Sequence, residues 1–389
     1  MSKQSILIVH NYYQIPGGED TVVANEKKML EDNGHKVVIY TRNNNEIKTM
    51  NVFRKILLPF TSIYSFKTAR EIKRVIKEEN IDIVHVHNTL SLISPSVYYA
   101  AVKMNKPVVQ TIHNFRMLCP GATFYRDGHI CEDCVSKGLR CSLKHKCYRN
   151  SFIQTLVCVI STKIHRTTGI YSKINYICLT EFNKNKLLQL KQIKPEKVFV
   201  KPNFAKNNGK ILIDTHNTQR KNQFIFIGRL EQIKGIDFLL DVWKELGDAT
   251  SKLIVCGIGS LENYCKEYIS KYKLNIEMKG LVSNEEVKEL VSESLALIMP
   301  TMWYEGFPMT IVEAFSVGTP VICPSMGNVG NLVEDGITGY KYNDKNELEQ
   351  IIENKNMNLT QSVQEIYNNR YTEAMNYNKL SEIYTEVSK

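Results

Sequence analysis

Two glutamates eight positions apart, Glu305 and Glu313, lie in the run Trp303-Tyr304-Glu305-Gly306-Phe307-Pro308-Met309-Thr310-Ile311-Val312-Glu313-Ala314. Gly306 and Pro308 forbid a regular helix through the first carboxylate, whereas Met309 to Val317 reads as an apolar helical turn. Glu305 is therefore expected in a loop and Glu313 on the helix that follows, so that loop and helix grip two ends of one ligand. Upstream, the strand-like run Phe224-Ile225-Phe226-Ile227 ends in Gly228-Arg229, and Lys234-Gly235 follows before an amphipathic segment. Ligands of open α/β sheets bind at that strand edge, and two fixed cations near helix N-termini suit a diphosphate. Alone, this Arg and Lys are as well explained by ordinary surface charge; with the Glu pair further along they become specific.

The elements that must position these side chains alternate along the chain. Strand-like runs at 6–10, 37–40, 81–86, 108–112, 176–179 and 198–201 are separated by helical patterns, and a second series follows at 224–227, 253–256, 276–279, 296–299 and 320–323. That alternation predicts an α/β fold with parallel sheets. A chain of 389 residues with 43% hydrophobic content exceeds one ordinary core. The expected division is 1–205, carrying a Cys-rich insert at 117–150; a polar linker at 206–222; a second domain at 223–365; and a C-terminal helical segment at 366–389, within a helical pattern running from 363 to 388.

With these runs in place the chain resembles the retaining nucleotide-sugar glycosyltransferases of family GT4. The resemblance rests on Pro16-Gly17-Gly18 after the strand Ile6-Leu7-Ile8-Val9, on Val109-Gln110-Thr111-Ile112-His113, on Gly228-Arg229 and Lys234, on Gly257-Ile258-Gly259, and on the Glu-x7-Glu motif. It implies a GT-B architecture, two Rossmann-like domains with parallel sheets facing a central cleft, the first for the acceptor and the second for the donor. It also implies that the C-terminal helix packs back on the first domain. By resemblance Arg229 and Lys234 hold the donor diphosphate, Glu313 the ribose and Glu305 the transferred sugar. Gly17 and Gly18 let backbone approach the phosphates, His113 faces the reacting centre, and Gly259, Val282, Phe307, Met309 and Thr310 complete the donor site. The implied reaction keeps the anomeric configuration, with the leaving phosphate taking the acceptor proton. Its implied partners are a UDP- or GDP-type sugar and a saccharide or lipid-linked saccharide in surface or capsular polysaccharide synthesis. No Asp-x-Asp pair is present, and Arg229 with Lys234 can supply the charge of a divalent ion, so no catalytic metal is expected.

Five of the ten cysteines crowd into residues 119–147. Nothing at the N-terminus reads as a signal peptide, and in a reducing cytoplasm four thiolates around zinc tie down such an insert better than disulfides. Cys119, Cys131, Cys134 and Cys147 are the expected structural zinc ligands, with Cys141 spare. His10, His85 and His87 sit at strand ends where they can support a site without direct chemistry.

Charge is regional: residues 103–201 hold eighteen Lys or Arg against five Asp or Glu, in a chain of formal charge +10. Such a stretch favours an anionic membrane surface or a diphosphate-linked lipid, or is simply a solvated basic surface. The apolar stretch 52–66 suits a core or an interfacial helix equally, 151–164 a core helix more than an interfacial one, and neither is long enough to span a bilayer. A cytoplasmic protein, peripheral at most on the inner membrane face, is expected. Other classes are weaker. A nucleotide-sugar epimerase shares the fold, and a phosphorylase-like enzyme lacks a lysine in a pyridoxal-phosphate context. A zinc-containing nucleic-acid binder lacks a basic platform interleaved with aromatics, so no nucleic acid is expected, and the glycine loop lacks the dinucleotide fingerprint of an oxidoreductase.

Overall fold

The computed structural model describes residues 3–14, 17–206, 220–247, 251–354 and 356–389. Most of the expected linker 206–222 thus lies outside the described residues, as does Pro16. The chain divides into two units, one of Met1–Arg126, Cys131–Pro202 and Tyr377–Lys389, the other of Asp127–Ile130 and Asn203–Asn376. The second unit therefore extends to Asn376 rather than to 365.

Six parallel strands form the first unit's sheet: β1 (Ser5–Tyr12), β2 (Lys36–Asn43), β3 (Ile83–Asn88), β4 (Val108–Ile112), β5 (Asn175–Cys178) and β6 (Val198–Val200), in the order β2-β1-β3-β4-β5-β6. The second unit's sheet, also parallel, contains β7 (Lys221–Ile227), β8 (Lys252–Cys256), β9 (Ile276–Gly280), β10 (Ser294–Ile298), β11 (Val321–Pro324) and β12 (Gly339–Tyr342), in the order β9-β8-β7-β10-β11-β12. Eleven of the twelve strands are visible in the sequence, the central ones such as β1, β7 and β10 because strands covered on both faces read as continuous apolar runs. The twelfth, Gly339-Tyr340-Lys341-Tyr342, is a short edge strand that opens on Gly and carries a Lys. The strand order reverses direction between β1 and β3 in one sheet and between β7 and β10 in the other. Loops leaving the C-terminal ends of the two strands part there, opening a crevice.

The helices that matter to these crevices are α1 (Gly18–Asp32), α2 (Val52–Ile63), α3 (Phe152–Thr167), α4 (Ile236–Leu246), α5 (Met309–Ser316), α6 (Thr360–Arg370) and α7 (Glu373–Val387). The pleat of β7 sends Phe224 and Phe226 to one face, against Leu239 and Trp243 of α4, and Ile225 to the other, against Val312 and Phe315 of α5. The helix expected through 363–388 is broken into α6 and α7, because Tyr371 turns into the second unit's core with Phe315 and Tyr367.

From Tyr377 onward α7 belongs to the first unit, where Leu380, Ile383 and Tyr384 are buried. Tyr384 is fully buried and its hydroxyl lies 2.7 Å from His85 Nδ1. Tyr384→Ala should cost about 3–5 kcal/mol through the cavity it leaves, and Tyr384→Phe only about 1 kcal/mol through the lost hydrogen bond. Urea unfolding followed by circular dichroism checks this; equal costs for the two variants would show that the ring's packing is not what matters.

Candidate active site

In the first unit, β1, β3 and β4 deliver His10, His87 and His113 to the C-terminal edge of the sheet at its reversal point. Behind them sits Glu26, on the buried stripe of α1 formed by Val22, Val23, Met29 and Leu30, and only 1% exposed. Its Oε2 accepts a hydrogen bond from Lys201 Nζ at 3.1 Å, and its Oε1 lies 3.0 Å from His85 Nδ1 and 3.3 Å from His87 Nε2. Burial opposes the charge, but Lys201 and His85 outweigh it and hold the carboxyl well below the usual range. His85 Nε2 lies 2.7 Å from Thr111 Oγ1.

His87 Nδ1 is 3.0 Å from His113 Nε2, and the two rings stack at 5.3 Å. Burial pushes His87 down to about 4 and His113 well below its ordinary value, so both are neutral near pH 7. The adjacent carboxylate favours the proton on His87 Nε2. His87 Nδ1 then accepts from His113 Nε2–H, leaving His113 a bare Nδ1. His87, Asn88, Gln110, His113 and Arg116 line a pocket of about 90 Å³ whose remaining wall includes Ser62 of α2 and Cys158, Ser161 and Thr162 of α3.

Gly17 and Gly18 open α1. A Cβ on Gly17 would meet nothing within 4 Å, so the loop is open there. The backbone N–H of Gly17 donates to Asp20 Oδ2 at 3.0 Å, and Asp20 Oδ1 is 2.7 Å from His10 Nε2. Burial pushes the Glu19 carboxyl up to about 8, against the opposing hydrogen bond from Tyr13 at 2.9 Å. It is thus largely uncharged at neutral pH.

In the second unit Arg229 and Lys234 follow β7, and Glu305 lies in the loop after β10, on either side of that sheet's reversal point. Lys234 Nζ is 2.6 Å from Glu305 Oε1, 5.6 Å from the Trp303 ring centre, and the carboxylate also accepts from Thr301 Oγ1 at 3.0 Å. Asn328, fully buried, donates its Nδ2 to the carbonyls of Glu305 and, at 2.8 Å, Gly306, which fixes the loop. Gly235 has φ +73°, and a Cβ there would overlap the Pro300 carbonyl oxygen, so only glycine lets the Lys234 turn pack against the segment leading to Glu305. Arg229 is paired elsewhere, with Glu231 at 2.8 Å, and its side chain is 65% exposed. A Cβ on Gly259 would lie 2.6 Å from the Leu230 nitrogen. Val282, Phe307 and Met309 are half-buried against the core that includes Val312, and Thr310 Oγ1 lies 3.5 Å from Met299 Sδ. Glu313 is on α5, where burial raises its carboxyl above the ordinary value and Lys288 only partly opposes the shift.

The structure therefore joins Lys234 with Glu305 and His113 with His87, but leaves Arg229 swung to Glu231. Sequence reasoning did not single out Glu26, Lys201, Thr301 or Asn328. The signal for Glu26 was available: it is a carboxylate at a position where the helical period of α1 calls for an apolar side chain. In the Cys-rich insert Cys119 and Cys134 are buried and share a hydrogen bond, and Cys147 is close enough for its charge to act on Cys134. Cys131 is half-buried and approaches Asp133 instead. Among the described residues, the group of possible metal ligands whose atoms lie within 4.8 Å of one another is Glu26, His85 and His87, and Lys201 already supplies a cation there.

The family description "Glycosyl transferases group 1" matches residues 210–371, and "Glycosyltransferase Family 4" matches residues 16–128. The chain is 23% identical over 389 residues to an uncharacterized 41.2 kDa protein in the cps region of Klebsiella pneumoniae, covering 97% of this chain and 99% of that protein. It is 24% identical over 322 residues to the amylovoran biosynthesis glycosyltransferase AmsD of Erwinia amylovora, covering 82% and 80% of the two chains. Among solved structures, Anabaena HepE in complex with UDP and glucose superposes with a TM-score of 0.66 at 16% identity, covering 98% of this chain and 100% of that one.

The buried histidines give a pH dependence of definite sign. Unfolded, His87 takes its proton near 6.5; folded, only near about 4. Its contribution is therefore complete above the unfolded value and lost as pH falls towards 4, by about 3 kcal/mol. Amide exchange of β3 and β4 at neutral and mildly acidic pH should show that loss, with a shallower slope in His87→Asn. An identical slope in the variant would mean that His87 takes up its proton in the folded state as easily as in the unfolded one.

Proposed function

The chain belongs to the group 1 glycosyl transferases and has the GT-B fold, and from that premise we propose that it transfers a sugar, with retention, from a UDP- or GDP-type donor to a saccharide or lipid-linked saccharide in surface-polysaccharide synthesis. The observation that carries this reading is the 2.6 Å pair of Lys234 and Glu305 at the reversal point of the second sheet. An ammonium group there suits a diphosphate, and the adjoining carboxylate suits sugar hydroxyls. Glu313, half-buried without a full counter-charge, suits the paired hydroxyls of a ribose. HepE, by its description, binds UDP and glucose on the same fold, and AmsD serves amylovoran synthesis, which supports a nucleotide-sugar donor and a polysaccharide setting.

In this reading the bond between the anomeric carbon and the leaving phosphate oxygen breaks, and its electron pair goes to the phosphate. Lys234, Arg229 after release from Glu231, and the amide-rich start of α5 balance the growing negative charge, so no metal is required. The acceptor oxygen bonds to the same face of the anomeric carbon, and its proton passes to the departing phosphate. His113, neutral and held by His87, orients rather than abstracts.

Lys234→Ala and Arg229→Ala should each cost about 2–4 kcal/mol in transition-state stabilisation. Glu313→Ala should weaken UDP or GDP binding in a thermal-shift assay, while Glu305→Gln should lower turnover more than nucleotide affinity. Wild-type kinetics in all four variants would refute the site; loss of turnover with EDTA, restored by magnesium, would give the charge role to a metal.

We also propose structural zinc on Cys119, Cys131, Cys134 and Cys147. The contact of Cys119 with Cys134, with Cys147 nearby, supports it, and Cys147 would have to close in and Cys131 to leave Asp133 to complete the set. About one zinc per chain is expected by elemental analysis. A metal-free preparation made without chelator, with Cys131 and Cys134 readily alkylated, would rule it out.

A further inference from the structure

Large apolar side chains are exposed in one concentrated place. On α2, Phe53, Ile56 and Phe60 are 69%, 63% and 69% exposed, and Ser62 is the helix's buried residue. These three follow the helical period, so they form one outward stripe, which Val52 and Leu57 widen. On α3, Ile153, Ile160 and Ile164 repeat the pattern, with Phe152 beside them. The two helices pack together, and His165 of α3 reaches the carbonyl of Ile63 at the end of α2 with its Nε2 at 3.0 Å. The result is a continuous apolar surface on one unit, larger than scattered single exposures.

Its electrostatic setting is one-sided. No Asp or Glu occurs from 47 to 70, where Lys48, Arg54, Lys55, Lys67 and Arg70 occur. None occurs from 134 to 180, which holds eight Lys or Arg, among them the exposed Lys144, Lys146, Arg149 and Lys163. Apolar stripes on segments whose only charged residues are cations are what a surface needs to insert into acyl chains while its rim meets anionic headgroups. No helix among the described residues is long and apolar enough to cross a membrane.

We propose that the outer face of α2 and α3 docks on an anionic lipid bilayer. The inner sides of the same helices, at Ser62, Cys158, Ser161 and Thr162, line the His113 pocket, so docking brings that pocket to the membrane surface. This deepens the reading above by narrowing the acceptor to a lipid-linked one, and rests on it only for that step.

The test uses the full chain and phosphatidylcholine vesicles with and without phosphatidylglycerol. Wild type should co-sediment with the anionic vesicles, weakly with the neutral ones, and less as salt rises. A Phe53→Ser, Ile56→Ser, Phe60→Ser variant should lose roughly tenfold or more of that binding, and Arg54→Glu with Lys55→Glu should remove the preference for phosphatidylglycerol. Both variants should keep the wild-type thermal shift with UDP or GDP, which shows that they fold and separates this test from the donor reading. Equal sedimentation of wild type and the triple-serine variant would overturn the proposal. So would a wild-type dimer that dissociates in that variant without any vesicle binding, since the face would then be a contact between copies.

Discussion

A carboxylate shut away from bulk solvent organises the first unit. Glu26 cannot stay charged in the core unless cations and N–H donors reach it, and those come from separate parts of the chain: Lys201 after β6, His85 and His87 from β3. Tyr384 of α7 meets the same ring nitrogen of His85, and Thr111 of β4 holds the other one. Removing one member of such a buried set leaves a charge uncompensated, typically at a cost of about 3–5 kcal/mol. The positions of helix α1, strands β3 and β4 and the C-terminal helix are thereby tied to one ionised group, and His113 inherits its orientation from that group through His87.

The second unit uses charge differently. Lys234 and Glu305 neutralise each other at the mouth of a crevice rather than in a core, with Glu305 buried and Lys234 partly open. The loop that carries Glu305 is held through its carbonyls by Asn328, so its backbone is fixed, and its carboxylate is held by Lys234 and Thr301. Arg229 already rests on an alternative carboxylate, Glu231.

Much of this was legible in the sequence because parallel strands buried on both faces leave unbroken apolar runs, as in Ile6 to Val9 and Phe224 to Phe226. Edge strand β12 left none. The Glu305 loop and the α5 helix followed from Gly306, Pro308 and the apolar run after them. Glu26 was missed because Asn25-Glu26-Lys27-Lys28 reads as a solvated face unless the helical register is followed. Periodicity shows that a helix has an apolar stripe and not what covers it. For α2 the stripe lies outward rather than in the core, and α3 divides its apolar residues between Cys158 and Val159 inside and Ile153, Ile160 and Ile164 outside, so that it combines the favoured core reading with the interfacial one.

One helix layer separates the outward stripe of α2 and α3 from the pocket wall at Ser62 and Thr162. A helix with its side chains is roughly 10 Å across. If the outer face lies on a bilayer, that thickness acts as a ruler: an acceptor still embedded by its tail can present only the sugars nearest the lipid to His113. A glycan already several residues long would carry its growing end past the pocket, so the position of two helices would set the step of chain assembly at which the enzyme acts.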